Sequence, residues 1–130
     1  MNRVIAVIFA VLVAVLLPTA ARAQSTTTDA EQTYFDFQVD QAVRIKAART
    51  PVYPDKLRAN KVEGTVLVQF VVDERGNAQM NTFKVLKSTD NELTASVMRA
   101  VSATSYFPAE FQGRKVKQLV QAPYKFNPSR

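Results

Sequence analysis

Histidine, cysteine and tryptophan are absent from the 130 residues, and glycine occurs only three times. Each absence closes a class of fold or function. Without cysteine no disulfide can brace the chain, so the apolar core must hold it alone. Without histidine the usual nucleophilic triads lack their base, and with cysteine missing too, zinc sites built on nitrogen and sulfur have no ligands. Three scattered glycines make no phosphate-cradling loop. Ser88 and Lys87 are neighbours in an expected strand and so point to opposite faces, and the 11 carboxylates do not cluster. No catalytic residue, cofactor or metal is therefore expected. Lys and Arg number 17, a mild excess, and no basic run is interleaved with aromatics, which argues against nucleic acid as a partner.

The one long apolar run, Val4 to Leu17, follows the basic head Met1-Asn2-Arg3 and stops at Pro18. Ala21-Arg22-Ala23 then has the small-x-small pattern a signal peptidase cuts after, so residues 1–23 are expected to be a signal peptide. A retained anchor is the rival reading, and only then would the chain contact the membrane. Its 14 helical residues would reach about 21 Å against a bilayer core of about 30 Å, which favours cleavage. Residues 24–33, Ser/Thr-rich and acidic, read as a disordered leader, and 34–130 as one domain with its core in 50–127.

The stretch Val62 to Lys87 organises that domain. Val62, Gly64, Val66, Val68, Phe70 and Val72 share one face, with Glu63, Thr65, Gln69 and Asp73 on the other, which predicts a strand with one buried side. Asp73-Glu74-Arg75-Gly76-Asn77 is a polar break in which Gly76 can take φ > 0 and reverse the chain. On the return, Ala78 and Met80 fall at even positions but Phe83 and Val85 at odd ones, which predicts a β-bulge near Asn81 and Thr82.

An isolated hairpin is marginally stable, so its apolar face needs a cover. Thr89-Asp90-Asn91-Glu92 has capping-box spacing with Thr89 as the cap, and the helix after it carries Leu93, Val97, Ala100, Val101 and Thr104 as an apolar stripe. A two-turn helix is expected from Asp55 to about Lys61, after the stiff Thr50-Pro51-Val52-Tyr53-Pro54. Tyr34 to Asp40 alternates as a short edge strand with Phe35, Phe37 and Val39 on one side, and Arg44, Lys46 and Arg49 read as a solvated basic face.

Gly113 opens a turn into the last strand, Val116 to Phe126. Arg114, Lys115 and Lys117 guard its start, and Pro123 cannot donate to a ladder, so this strand is expected at an edge with one unpaired side. The elements together predict an α+β fold: a small three- to four-stranded antiparallel sheet with a helix packed on one face.

From about residue 50 to 127 the chain resembles the C-terminal domain of the TonB family. The motifs are Pro51-x-Tyr53-Pro54, then Val62-Glu63-Gly64-x-Val66 with Phe70-x-Val72-Asp73-x-x-Gly76, then Tyr106-x-Pro108-Ala109 and Pro123-x-x-Phe126. The resemblance implies a periplasmic protein that grips a short outer-membrane receptor segment as an added strand and passes on energy from the inner membrane. Thr50 stands where transducer-type members often carry a Gln that meets the receptor. The expected partner-binding residues are Thr50 and the edge Lys115, Val116, Lys117, Gln118, Leu119, Val120 and Gln121, with backbone bonds supplying affinity and apolar Val116, Leu119 and Val120 holding the partner. A proline at Val120 is the expected way to silence that edge. The alternative is that the same edge pairs with its own twin, giving a homodimer with no role in energy transduction.

Overall fold

The computed structural model describes residues 32–129. The signal-peptide reading of 1–23 and nearly all of the leader lie outside them. In chain order the elements are β1 (Thr33–Tyr34), a 3-10 turn (Asp36–Gln38), β2 (Arg44–Ala47), α1 (Asp55–Ala59), β3 (Gly64–Val72), β4 (Ala78–Ser88), α2 (Asn91–Ala103), β5 (Ser105–Phe107), β6 (Ala109–Phe111) and β7 (Arg114–Phe126). The sheet order is β1-β7-β3-β4, with β6 also on β7, while β2 and β5 form a separate antiparallel ribbon. The three long strands β4, β3 and β7 are mutually antiparallel, and α2 packs on β3 and β4, so the α+β fold is the expected one.

The alternation in β3 fixes its buried face. Val66, Val68, Phe70 and Val72 are fully buried, and Leu93, Val97 and Val101 of α2 meet them together with Tyr53, Leu57, Tyr106 and Phe126. Each such side chain contributes about 1.5–3 kcal/mol on leaving water. The ladder between β3 and β4 slips where the parity changes: Gln69 faces Lys84 but Val71 faces Gln79, so Met80–Phe83 bulges, and Thr82 Oγ1 accepts the Val71 N–H at 2.9 Å.

Three expectations are corrected. The cap of α2 is Asp90, whose Oδ1 accepts from Glu92 N at 2.7 Å and Leu93 N at 3.4 Å. Thr89 Oγ1 instead accepts the Thr65 N–H at 3.1 Å, because the hairpin ladder reaches that far and claims it first. The segment Tyr34 to Asp40 is not one strand: pairing stops at Tyr34, and side chains of Asp36 and Gln38 bond nearby backbone N–H groups, drawing the chain into the 3-10 turn. The expected helix from Asp55 ends at Ala59, where Lys61 takes φ 51 and Val62 N returns to the Leu57 carbonyl at 2.9 Å.

Tyr106 lies in this core against Tyr124. Burial, reinforced by the Tyr124 charge, pushes its pKa up to about 12, and burial also raises Tyr124. An unfolded chain releases such a proton near pH 10 while the folded one keeps it. In the window from pH 10 to about 12 the unfolded state binds fewer protons, so stability falls as pH rises, by at most about 1.4 kcal/mol per unit for such a group. Tyr106→Phe should flatten that fall when urea midpoints are compared at pH 9 and above pH 10. An equally steep fall would place the cause elsewhere.

Candidate functional site

β7 is filled along one side. β6 pairs with Arg114–Val116 and β3 with Gln118–Phe126. The turn between β6 and β7 has φ 50 at Gln112 and φ 75 at Gly113, the two-residue turn whose flanking pair, Phe111 and Arg114, is hydrogen-bonded. Even-numbered residues of β7 therefore turn their backbone groups to β6 and then to β3.

Among the described residues the opposite side carries only β1, parallel at Lys117 and Gln118. From Leu119 onward no strand among the described residues pairs with that side. The direction of its polar groups follows from β3. Thr65 N and Val71 N both donate toward the β4 side, to Thr89 Oγ1 and Thr82 Oγ1, so odd residues of β3 leave β7 alone. Their register partners Lys125 and Leu119, with Gln121 and Pro123 in the same parity, face outward. Pro123 has no N–H to give, and at this position the β3 ladder loses nothing by it. Tyr34, opposite Gln118, uses the neighbouring groups of β7, among them the Leu119 N–H. The first free donor is thus the N–H of Gln121, followed by that of Lys125, with outward carbonyls on Leu119, Gln121, Pro123 and Lys125.

The structure divides the expected edge by what each residue touches. Lys115 is exposed and faces Glu110 across the β6–β7 pair. Val116 is buried with Tyr34 and Ala109, and Lys117 faces Thr33. Gln118 is 4% exposed, and its Oε1 accepts the Val43 N–H at 2.9 Å, so it ties down the N-terminal segment. Leu119, Val120 and Gln121 are brought together with Phe35 and Asp36 around a recess of about 320 Å³. Thr50 lies elsewhere, in a recess of about 660 Å³ with Pro51, Val52, Asn127 and the far end of β7, Tyr124–Phe126.

Val120 turns its N–H toward Phe70, so a proline there would break the core ladder and not the edge; Gln121 is the position to change. Sequence reasoning missed Lys125, Tyr124 and the 75% exposed Val52 as the far end of the site. The signal was available: a proline tolerated in a strand marks which parity faces away from the partner, and Pro123 marks odd residues.

Lys125 and Arg58 give the larger recess a basic character, Arg58 lying over the Tyr53 ring at 5.5 Å. No helix among the described residues is long and apolar enough to cross a membrane.

The fold is similar to the solution NMR structure of the Pseudomonas aeruginosa TonB C-terminal domain, at 24% identity and TM-score 0.58, covering 68% of this chain and 88% of that one. A TonB2 structure from Vibrio anguillarum is similar at 25% identity and TM-score 0.47, covering 73% and 92%. No curated protein matches the chain. The family model for the Gram-negative bacterial TonB protein C-terminal matches residues 49–128, and since that is more than half of the 130 residues, the chain belongs to this family.

Proposed function

We propose that the domain is a periplasmic module that captures an extended segment of an outer-membrane receptor as a strand added to β7, in the service of energy-dependent transport across the outer membrane. The observation that carries this is the unpaired side of β7 from Leu119 to Phe126, lying within the family match and ending at recesses on both flanks. Its outward groups can make four to six backbone bonds at about 1 kcal/mol net each, and one or two apolar side chains add about 1.5–3 kcal/mol apiece. Ordering the peptide costs about 2–5 kcal/mol, and lost rigid-body freedom costs more, so capture is micromolar or weaker and readily reversed.

Gln121→Pro tests it. The change deletes the first free donor while sparing the β3 ladder, so the far-ultraviolet dichroism and melting temperature should stay put. Affinity for a synthetic peptide copying the periplasmic segment of an outer-membrane receptor should fall about tenfold, the equivalent of one charge-free bond and its neighbours. A folded variant that binds such a peptide as tightly as the native chain would move the binding edge away from β7. A concentration-dependent dimer whose Gln121 amide is protected would mean that the edge is used by a second copy instead.

A further inference from the structure

The 3-10 turn after β1 is fastened at both ends. On one side Tyr34 is buried, its ring 5.2 Å from that of Phe111, in a small cluster with Ala109 and Val116. On the other, Val39 packs on the same cluster, Asp40 N donates to the Glu110 carbonyl at 2.9 Å, and Asp40 Oδ2 accepts from Gln112 N at 2.7 Å. The turn also locks itself, Gln38 N donating to the Phe35 carbonyl at 3.0 Å and Phe35 N to Gln38 Oε1 at 2.9 Å. What this frame presents to water is apolar. Phe35 and Phe37 are 48% and 80% exposed, stacked on each other at 5.5 Å with their planes 4° apart. No other ring and no cation lies over either one among the described residues. The fold holds both rings in place before any partner arrives, so the ordering cost of burying them is already met.

Their place on the sheet says which partner fits. Among the described residues β1 fills the outer side of β7 only as far as Gln118, and the chain then steps aside into the turn. Phe35 and Asp36 therefore stand at the closed end of the open side, around the recess of about 320 Å³ with Leu119, Val120 and Gln121. That is room for one large side chain, at the low end of ligand-sized clefts of about 300–1,000 Å³. The backbone has little to offer there, since the Leu119 N–H is taken by Tyr34 and the Leu119 carbonyl accepts from Gln118 Nε2 at 3.5 Å. A segment added along β7 finds its first free donor at Gln121, so the residue it carries beyond that point, toward the turn, is gripped through its side chain. Resting on the strand-addition reading of β7, we propose that Phe35 and Phe37 form an aromatic shelf that selects receptor segments whose end residue at this point is aromatic. A planar side chain lies against the Phe35 ring and over Leu119, in the offset geometry that aromatic pairs favour. The turn precedes residue 49, where the family match begins, so this selectivity belongs to the chain and not to the family's shared motifs.

The chain has no Trp, so a Trp in a peptide can be followed by its own fluorescence. The test uses the chain from Gln24 onward, which keeps all the described residues. The probe is a short synthetic peptide copying the periplasmic segment of an outer-membrane receptor, with Trp or Ala as its first or its last residue to cover both strand directions. One of the two Trp peptides should bind about tenfold tighter than its Ala counterpart, with its emission shifted to the blue. In Phe35→Ser with Phe37→Ser that gap should close to about twofold, while the Ala peptides bind nearly as before. An unchanged gap in the folded variant overturns the shelf. If that variant melts early, Phe37→Lys at the 80% exposed position takes its place and should narrow the gap, and an unchanged gap there overturns the shelf as well. Gln121→Pro checks the strand-addition reading separately. A Phe-dependent gap that survives Gln121→Pro with affinities unchanged keeps the shelf and discards the added strand; peptides weakened by Gln121→Pro but showing no gap do the reverse. No binding by any of the peptides overturns both. Weaker sedimentation of the double variant with anionic phospholipid vesicles, at an unchanged peptide gap, would make the rings a membrane anchor and overturn the shelf.

Discussion

Gly76→Ala should lower the melting temperature by roughly 12 °C or more, because two costs coincide at one position. Gly76 has φ 84, where an alanine loses about 1–2 kcal/mol for its left-handed backbone. A Cβ there would also run into the Tyr106 backbone carbonyl, and backbone cannot step aside as a side-chain tip can. The two chains are bonded at this point: Tyr106 N donates to the Gly76 carbonyl at 2.9 Å, and Asn77 bridges Ser105. Relieving the clash therefore pulls the hairpin turn off β5, and the combined cost is about 3 kcal/mol or more. Gly113→Ala is the control. It has φ 75 but nothing within 4 Å of the added carbon, so it should lose only the backbone cost. Equal melting shifts for the two would mean that the close approach at Tyr106 is relieved without loss.

Phe70→Ala should be of similar or larger size. The ring is fully buried between Phe83, stacked at 6.5 Å, and Tyr106 at 5.9 Å, on the one strand of the sheet bonded on both sides along its length. Phe to Ala in such a site costs about 3–5 kcal/mol, the transfer of the ring plus the cavity left behind. Domains of this size hold about 5–15 kcal/mol in all, so the urea midpoint should drop by roughly a fifth or more. A midpoint that barely moves would mean the surroundings collapse into the space, which strands held at both edges resist.

The hairpin, its bulge and the covering helix were legible because each rests on periodicity over many residues, and Val66 to Val72 has no way to alternate except as a strand. What was illegible depends on competition between near equals. Thr89 and Asp90 are both competent caps, and only the extra ladder pair with Thr65 decides between them. Phe35 to Val39 carries a strand pattern, but Gln38 and Asp36 offer the backbone a closer partner. The short strands β2 and β5 are set by partners far along the chain, as where Arg44 meets Phe107, and no local window contains both. For the site, the last strand and its unpaired side were visible from Pro123 and the flanking charges. Which half stays open was not, since Val116 and Gln118 are claimed by Tyr34 and Val43, some 75 residues upstream in the second case.

The tie between Gln118 and Val43 also sets the boundary of the unit that must be kept whole. The family match begins at residue 49, but a fragment cut there would lose Tyr34, Val39 and Val43 from above Ala109 and Val116, and the donor from the buried Gln118 oxygen. It would also strip β2 from β5, uncovering backbone groups beside Phe107. Such a fragment keeps every family motif and yet gains a fresh sticky margin, so its self-association would report on the cut and not on the protein.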